Sequence, residues 1–315
     1  MELAQRHIIC IVGMHRSGTS MIARMLNICG LELGPAERLL KADKANPLGH
    51  FEHRGFLDID RKLLKHFHAT WYDPPDLPAK WEDDPSLSQL LRQARALAAG
   101  FPETQSWGWK EPRASLFLPF WRNAIPNMDF LICLRNPLEV AKSLQRRNLL
   151  GIEHGAWLWY LYTLSALRDT QQSPRLFSFF DDYFDNRDEE VCRVLAFCGL
   201  EDCNDTALLE SAIAGELRHH ESGDQRLRDE AAIPAECKKL YLGLRSILAQ
   251  QDLRNIIGDE TKCAALSSEV NTFAAEFDAQ AGFSFFLRNR SSEGPSSPNV
   301  KRLQKFLRTL RGTSS

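Results

Sequence analysis

The chain has 315 residues, which suits one large α/β domain or two smaller ones. Hydrophobic residues make up 43% of it and charged residues 25%, so the composition excludes global disorder and allows a packed core. The net charge of −2 gives no general reason to expect nucleic-acid binding. Positive charge is concentrated at the C-terminus, where residues 288–315 hold seven Lys or Arg residues and one acidic residue.

Eight cysteines are spread along the chain, and no two of them form a C-x-x-C pair. Cys10 and Cys133 lie in apolar runs that are typical of buried strands. This pattern disfavours a metal site or a disulfide framework, and it predicts reduced thiols in a cytoplasmic protein. The N-terminal residues lack the apolar stretch of a signal peptide, and no run of 18 apolar residues suggests a membrane span.

The first predicted elements are a strand, a loop and a helix. Residues 7–12 are short, β-branched and apolar, which predicts a buried strand. The loop at 13–20 follows, and the apolar content of residues 21–29 predicts a helix that ends before Gly30. This order is typical of the start of a nucleotide-binding α/β fold.

The rest of the chain alternates helical and strand patterns. Further buried strands are predicted at 128–134 and 175–180. Helices are predicted at 57–67, 87–99, 138–147, 155–167 and 188–197, and over much of 235–277. We therefore predict an α/β, P-loop-type three-layer fold with a central, mostly parallel sheet flanked by helices and a helix-rich C-terminal part. This domain is expected over 1–287, and 288–315 is expected to be a Ser/Pro linker and a short basic tail.

The loop GMHRSGTS (residues 13–20) has the composition of a phosphate-binding loop. Its two glycines allow a sharp turn that points amide N–H groups inward, and the next helix N-terminus adds partial positive charge. Arg16 adds a full charge and paired donors. The Gly-x4-Gly spacing matches a Walker A loop, but Thr19 stands where the lysine belongs. A plain strand–helix turn rich in small residues is the alternative interpretation.

A second anion site is predicted after the strand at 128–134. Arg135 follows this strand directly, and Ser143 lies eight residues later in the next predicted helix. Because the carboxyl ends of parallel strands meet at one edge, Arg135 is expected on the side of the first loop. Two phosphate sites on one edge suit a nucleotide phosphorylated at two separate positions. A helix-capping or interface role is the alternative for Arg135.

Two runs together resemble motifs of the sulfotransferase superfamily, and bacterial members most of all. They are IVGMHRSGTSMIARML (residues 11–26) and FLICLRNPLEVAKSL (residues 130–144). Segments at 46–52, 109–113 and 180–200 also look like family features, so the likeness spans about residues 7–220. The resemblance implies that the protein is an enzyme using 3′-phosphoadenosine 5′-phosphosulfate (PAPS) as its co-substrate.

By this resemblance, Arg135 and Ser143 would bind the 3′-phosphate of PAPS. The residues implied to bind its 5′-phosphosulfate are Gly13, Arg16, Ser17, Gly18, Thr19 and Ser20. The chain departs from many cytosolic members, which carry Lys in place of Arg16. It also lacks an Arg-Lys-Gly-x-x-Gly-Asp-Trp-Lys motif near the C-terminus, which disfavours a steroid- or phenol-type enzyme.

The reaction that the resemblance implies is in-line attack of an acceptor oxygen or nitrogen on the sulfur of PAPS. Loop amides and Arg16 would stabilise charge on the leaving phosphate oxygen. Lys110 is expected to reach the bridging or sulfuryl oxygen, and Arg113 is expected to orient it or an acceptor anion. A structural ion pair with Glu111 is the alternative. No metal is predicted, because the donor is already activated.

A hydroxyl acceptor needs a general base. The first candidate is Glu52, whose counterpart in tyrosyl-protein sulfotransferases is assigned this role. His15 is the second candidate, and His50 and His53 are the third. A salt-bridge or surface role is the alternative for Glu52. His219 and His220 are adjacent on a predicted helix, so they point in different directions and make a poor metal pair.

The acceptor is not specified by the sequence, and a saccharide is expected from the resemblance. Four tryptophans suit either stacking on sugar rings or core packing, namely Trp71, Trp81, Trp107 and Trp109. Residues 300–311 form a basic amphipathic pattern that suits weak contact with a membrane surface or a partner. Two alternative functions stay open: a non-catalytic protein that binds PAPS or its product, and a P-loop nucleotide kinase or NTPase.

Overall fold

The computed structural model describes residues 6–43, 46–203, 209–210, 212–213, 223–249 and 260–292. Within this part of the chain, four parallel strands form one sheet in the order β2-β1-β3-β4. They are β1 (Ile8–Val12), β2 (Trp107–Lys110), β3 (Asp129–Leu134) and β4 (Arg175–Phe179).

Helices connect and cover the strands, and many of them lie in the C-terminal half. In chain order, the α-helices of the described residues are α1 (Thr19–Ile28), α2 (Arg54–His66), α3 (Ser88–Ala98), α4 (Leu118–Ala124), α5 (Pro137–Asn148), α6 (Ile152–Asp169), α7 (Asp182–Asp185), α8 (Arg187–Phe197), α9 (Asp224–Asp229), α10 (Ala235–Ala249), α11 (Glu260–Ala275) and α12 (Ala279–Ser292). The predicted α/β fold with a parallel sheet flanked by helices is confirmed.

Alternating residues of the strands enter two separate cores. Cys10 and Val12 of β1 face the core that contains α2, α4 and α6. Ile9 and Ile11 face the other core, which contains α1 and α8. Successive side chains of a strand point to opposite faces, so this split divides the molecule into three layers.

The strand order reverses between β1 and β3. The connection after β1 leads to β2 on one side, whereas the connection after β3 leads to β4 on the other. Val12 pairs with Ile132, so the residues that follow both strands lie next to each other. In open parallel sheets, ligands bind in the crevice at the carboxyl ends of such strands.

Strand β2 is absent from the sequence predictions. It has only four residues, one of which is Gly108 and another Lys110. Glycine and lysine are both uncommon inside strands, so no local signal marks this element. Helix α12 runs through the predicted domain boundary at 287/288, and the basic amphipathic pattern at 300–311 lies outside the described residues.

One pair of cysteines contradicts the prediction of reduced thiols. Cys29, at the end of α1, forms a disulfide with Cys203, which lies 174 residues later in the sequence. The other six cysteines are free thiols, as predicted, and four of them are buried. Spacing gave no signal for this pair because the two cysteines lie 174 residues apart and meet only in the folded chain. The described helices include none that is both long and apolar enough to cross a membrane.

We predict that Gly155→Val destabilises the fold by about 1–3 kcal/mol, because it overpacks the contact between α5 and α6. A Cβ atom at Gly155 would lie 2.8 Å from the Cα atom of Ala141. Urea denaturation measures the free energy of unfolding. The control is Gly151→Ser, since a Cβ there meets nothing within 4 Å and we expect a change below about 0.5 kcal/mol. Equal stability of the two variants would contradict the close helix contact.

Candidate active site

The loop after β1 depends on two glycines with positive φ. Gly13 has a φ of 136°, and a Cβ atom there would lie 2.4 Å from the carbonyl oxygen of Cys133 in β3. Gly18 has a φ of 87°, and a Cβ atom there would lie 2.3 Å from the ring of Phe180. Both positions therefore need glycine. This packing sets the loop directly against the ends of β3 and β4.

The loop presents groups that suit an anion. Helix α1 begins at Thr19, and no side chain of the described residues caps its N-terminus. The first N–H groups of a helix carry partial positive charge and point along its axis. Ser17 is fully buried, and its Oγ has no hydrogen-bond partner among the described residues. Because an unpaired buried hydroxyl is costly, a bound phosphate or sulfate oxygen would satisfy it.

Arg16 joins the loop to the second predicted anion motif. Its Nε donates to Ser143 Oγ of α5 at 2.8 Å, and Arg135 Nη1 donates to the Arg16 carbonyl oxygen at 3.2 Å. Burial, followed by the positive charges of Arg147 and Arg135, lowers the pKa of Arg16 to about 10. The charge around Arg16 is therefore mainly positive. Such a site favours an anionic ligand.

Three contacts hold the guanidinium group of Arg135. Its Nε and Nη2 both lie 2.9 Å from Glu139 Oε2, one helical turn further along α5. Its Nη1 donates to Arg16, and its Cζ lies 4.0 Å from the centre of the Phe180 ring. Glu139 and Phe180 are both buried, so they fix Arg135 in one orientation. The remaining N–H groups of Arg135 can then bind a ligand in a set direction.

Lys110 and Glu52 form a buried ion pair next to the loop. Lys110 Nζ donates to Glu52 Oε1 at 2.6 Å and to Ser20 Oγ of α1 at 3.2 Å. Burial opposes ionisation of Glu52, but the charges of Lys110 and Arg113 outweigh it and hold the pKa of Glu52 below its usual value. Arg113 in turn pairs with Glu111 at 2.5 Å. The cations of this cluster are thus matched by carboxylates.

His15 lies in the loop but faces a different set of residues. Its ring centre lies 4.9 Å from that of Trp71 and 6.2 Å from that of Tyr162. Burial, together with the charges of Arg113 and Lys110, lowers the pKa of His15 well below its usual value, so the imidazole is neutral. Its Nε2 is buried and has no hydrogen-bond partner among the described residues.

The other histidine candidates have structural contacts. His50 Nε2 lies 3.1 Å from Asp43 Oδ2. His53 Nδ1 accepts the Gly55 N–H at 3.1 Å and thereby caps α2. His219 and His220 lie outside the described residues, and the described part of the chain contains no cluster of three or more potential metal ligands.

Of the four tryptophans considered for sugar stacking, only Trp71 lies beside the loop and is half-buried. Trp107 and Trp109 stack on aromatic neighbours inside the core, and Trp81 packs there against Phe117. The aromatic content of these segments therefore mainly serves core packing.

The contacts of three residues of the site escaped the sequence analysis. Glu139 is spaced four residues from Arg135 on a helix, and this spacing is a usable signal for an ion pair. Ser115, whose Oγ accepts the Gly13 N–H at 3.0 Å, and Phe180 have no local signal. Their roles depend on contacts between residues that lie far apart in the sequence.

We predict that Glu52→Gln and Lys110→Met each destabilise the fold by about 3–5 kcal/mol, because each leaves a buried charge without its partner. The double variant should lose clearly less stability than either single variant, because it leaves neither charge without a partner. The control is the exposed ion pair of Lys239 and Glu276, whose charged atoms lie 2.9 Å apart. Lys239→Met should lower the free energy of unfolding by less than about 1 kcal/mol. A double variant as unstable as the worse single variant in urea denaturation would contradict the pairing.

This pair also predicts a dependence on pH. The folded-state pKa of Glu52 lies below its unfolded value. The ion pair with Lys110 therefore contributes its full stabilisation of the fold at neutral pH. It should be lost as the pH falls below about 4.3, the usual glutamate value, and through the lowered folded value. Acid denaturation of the wild type should therefore be steeper than that of the double variant, and parallel curves would contradict the prediction.

Solved structures with similarity to this chain include two sulfotransferases. The sulfotransferase domain of the Synechococcus PCC 7002 olefin synthase is 17% identical, with a TM-score of 0.37 over 88% of this chain and 98% of that domain. Sulfotransferase STF9 from Mycobacterium avium is 16% identical, with a TM-score of 0.42 over 79% of this chain and 77% of that one. No curated protein sequence matches the chain.

A family model described as "Sulfotransferase family" matches residues 9–205. The match covers more than half of the chain and includes the loop after β1, the ion pair of Lys110 and the motif after β3. This protein therefore belongs to the sulfotransferase family.

Proposed function

We propose that this protein is an enzyme that transfers a sulfuryl group from PAPS to a hydroxyl acceptor. The observation that carries this proposal is a pair of linked hydrogen bonds. The Arg16 side chain donates to Ser143, and the Arg135 side chain donates to the backbone carbonyl oxygen of Arg16. The two anion motifs therefore meet in the crevice between β1 and β3. A nucleotide with separate 5′ and 3′ phosphate groups would engage both motifs at once.

The donor fits the groups that these motifs offer. The N–H groups of the loop and the unpaired Ser17 hydroxyl would bind the 5′-phosphosulfate. Arg135 and Ser143 would bind the 3′-phosphate, and Arg16 lies between the two positions. The mainly positive surroundings of Arg16 would be balanced by the negative charges of the donor.

The residues around the loop would each act at a different atom of the donor during the reaction. Bound PAPS supplies an activated sulfuryl group. Arg16 and the loop N–H groups would stabilise negative charge that develops on the 5′-phosphate oxygen as the sulfur–oxygen bond breaks. Lys110, held by Ser20 at the start of α1, would contact a sulfuryl oxygen.

Glu52 is the proposed general base. The ion pair with Lys110 keeps it ionised, which is the state that a base needs. Lys110 contacts Oε1, so Oε2 is the oxygen that would receive the proton of the acceptor hydroxyl. The same ion pair makes Glu52 a weaker base than a free glutamate. The barrier must therefore be lowered mainly by charge stabilisation on the leaving group.

A P-loop kinase or NTPase is less well supported. Thr19 stands where a Walker A loop has its phosphate lysine. Strand β3 is followed by Arg135 rather than by an acidic residue that could hold Mg²⁺. The other alternative is a non-catalytic protein that binds the same nucleotide. It would differ from the proposed enzyme only in lacking transfer activity.

We predict that adenosine 3′,5′-bisphosphate (PAP) binds the wild type by calorimetry and that Arg135→Ala weakens it about 10- to 100-fold, because charged hydrogen bonds to the 3′-phosphate are lost. AMP should bind the wild type about as weakly as PAP binds the variant. The control is Arg61→Ala, an exposed arginine on α2, which should leave the Kd for PAP unchanged. Tighter binding of ATP than of PAP would instead support a kinase.

We also predict that Glu139→Ala weakens PAP about tenfold while the Kd for AMP stays the same, because the variant frees the orientation of Arg135. Glu139→Asp should keep part of the PAP affinity. Calorimetry with both nucleotides gives the ratio that reports recognition of the 3′-phosphate. An equal loss for PAP and AMP would show that Glu139 only supports the fold.

A further inference from the structure

Helix α2 carries a buried carboxyl group that the proposed reaction does not use. Asp60 is fully buried, and its Oδ1 accepts the Nε1–H of Trp121 in α4 at 2.9 Å. Its Oδ2 is also buried and has no hydrogen-bond partner among the described residues. Phe56 and Leu63 of the same helix belong to the apolar core around it. An ionised carboxylate in such a place lacks the donors and the cation that it needs.

A second carboxyl group, with one unpaired oxygen, lies directly after β2. Glu111 is fully buried, and its Oε1 accepts the Arg113 backbone N–H at 3.0 Å and the Arg113 Nη1–H at 2.5 Å. Its Oε2 is buried and has no partner in the described part of the chain. When both groups are ionised, the free oxygens of Asp60 and Glu111 are acceptors only. A proton on one of the two carboxyl groups would supply a donor.

The buried ion pairs decide which carboxyl group takes the proton. Lys110 pairs with Glu52 at 2.6 Å, and Arg113 pairs with Glu111 at 2.5 Å. Asp60 has no ion pair with a described residue, and its one hydrogen-bond partner among them is the neutral Trp121. A buried acid without a cation becomes neutral more readily than one that contacts a guanidinium or ammonium group. The third carboxyl group, Asp60, is therefore the one that stays protonated.

The other ionisable neighbours of Asp60 do not change this result. Beside the two glutamates and Arg113, Asp60 interacts electrostatically with the Cys10 thiol of β1 and the Tyr162 hydroxyl of α6. Neither group can supply a positive charge. Burial, followed by the charge of Glu111, raises the pKa of Asp60 well above its usual value. Burial raises the pKa of Glu111 as well, but the charge of Arg113 opposes it there.

We propose that Asp60 keeps a proton at neutral pH and thereby leaves Lys110 to Glu52 and Arg113 to Glu111. Asp60 is then a positioning residue for the charge of the proposed base. An ionised Asp60 would repel the negative charge of Glu52 and would favour the protonated form of Glu52. Where the proton lies does not depend on the proposed function, and only its effect on the base rests on it.

The test compares the wild type with Asp60→Asn by urea denaturation at pH 5, 6 and 7. The amide is neutral at each pH and keeps an oxygen for Trp121, so the titration of all other groups cancels in the comparison. The raised folded-state pKa of Asp60 gives stabilisation that is complete below about 3.9, the usual aspartate value, and is lost as the pH rises towards the folded value. Relative to the variant, the folding equilibrium constant of the wild type should fall about tenfold per pH unit.

Two other aspartates serve as controls. Asp58→Asn removes an exposed carboxyl group from the same helix, so its stability should run parallel to that of the wild type. Burial raises the pKa of Asp169 to about 6. Asp169→Asn should therefore show most of its relative change between pH 5 and 6 and a smaller one between pH 6 and 7. A constant difference between the wild type and Asp60→Asn from pH 5 to 7 would overturn the proposal.

A second comparison tests why Asp60 holds the proton. Glu111→Gln removes the charge that repels Asp60 and frees Arg113 from its partner. The difference between Glu111→Gln and the double variant Asp60→Asn/Glu111→Gln should therefore depend much less on pH. A dependence as steep as in the wild type would show that burial alone holds the proton, and the role of the ion pairs would be overturned.

Infrared spectroscopy gives a measurement that leaves Asp60 unchanged. Asp169→Asn, which removes the contribution of that residue, is labelled with carboxyl-¹³C aspartate and measured at pH 7. We expect the C=O stretch of a protonated carboxyl group that shifts with the label, and its absence would overturn the proposal. None of these measurements needs a nucleotide. If they succeed and PAP does not bind, the proposed function fails alone, and if PAP binds and they fail, the assignment of Asp60 fails alone.

Discussion

The parallel pairing of β1 with β3 is the constraint on which the rest of the site depends. Val12 pairs with Ile132, and one residue later Gly13 lies so close to the Cys133 carbonyl oxygen that no side chain fits. The loop after β1 and Arg135 after β3 therefore start from neighbouring positions. A larger residue at Gly13 would separate the two strands and would move the anion motifs apart at the same time. Strand register and the geometry of the site are thus set by the same contact.

The distribution of charge follows from this arrangement. On one side, Arg16 lies among other arginines, and burial with this repulsion already lowers its pKa. On the other side, Lys110 and Arg113 are neutralised by Glu52 and Glu111. Buried ion pairs cost desolvation energy and seldom stabilise a fold more than apolar residues would. Fixed charges of this kind are what the proposed sulfuryl transfer would need next to its reacting oxygen.

The parts of the structure that could be predicted have local signals. The apolar runs of β1 and β3, the glycines of the loop and Arg135 after β3 can all be recognised within a dozen residues. Strand β2 could not, because Lys110 is a plausible strand residue only when Glu52, 58 positions earlier, neutralises it. The Cys29–Cys203 disulfide and the packing of Phe180 on Arg135 likewise arise only when distant segments meet.

The sequence offers both Glu52 and His15 as candidates for the general base, but their surroundings hold the two side chains in different charge states. Without Lys110 and Arg113, burial alone would raise the pKa of Glu52 and favour its protonated form. The same two cations act on His15 in the opposite sense, since they add to burial and keep its imidazole neutral. One pair of positive charges therefore holds one residue ionised and the other uncharged. The first state suits the proton acceptor of the proposed reaction, whereas the second leaves His15 without a charge.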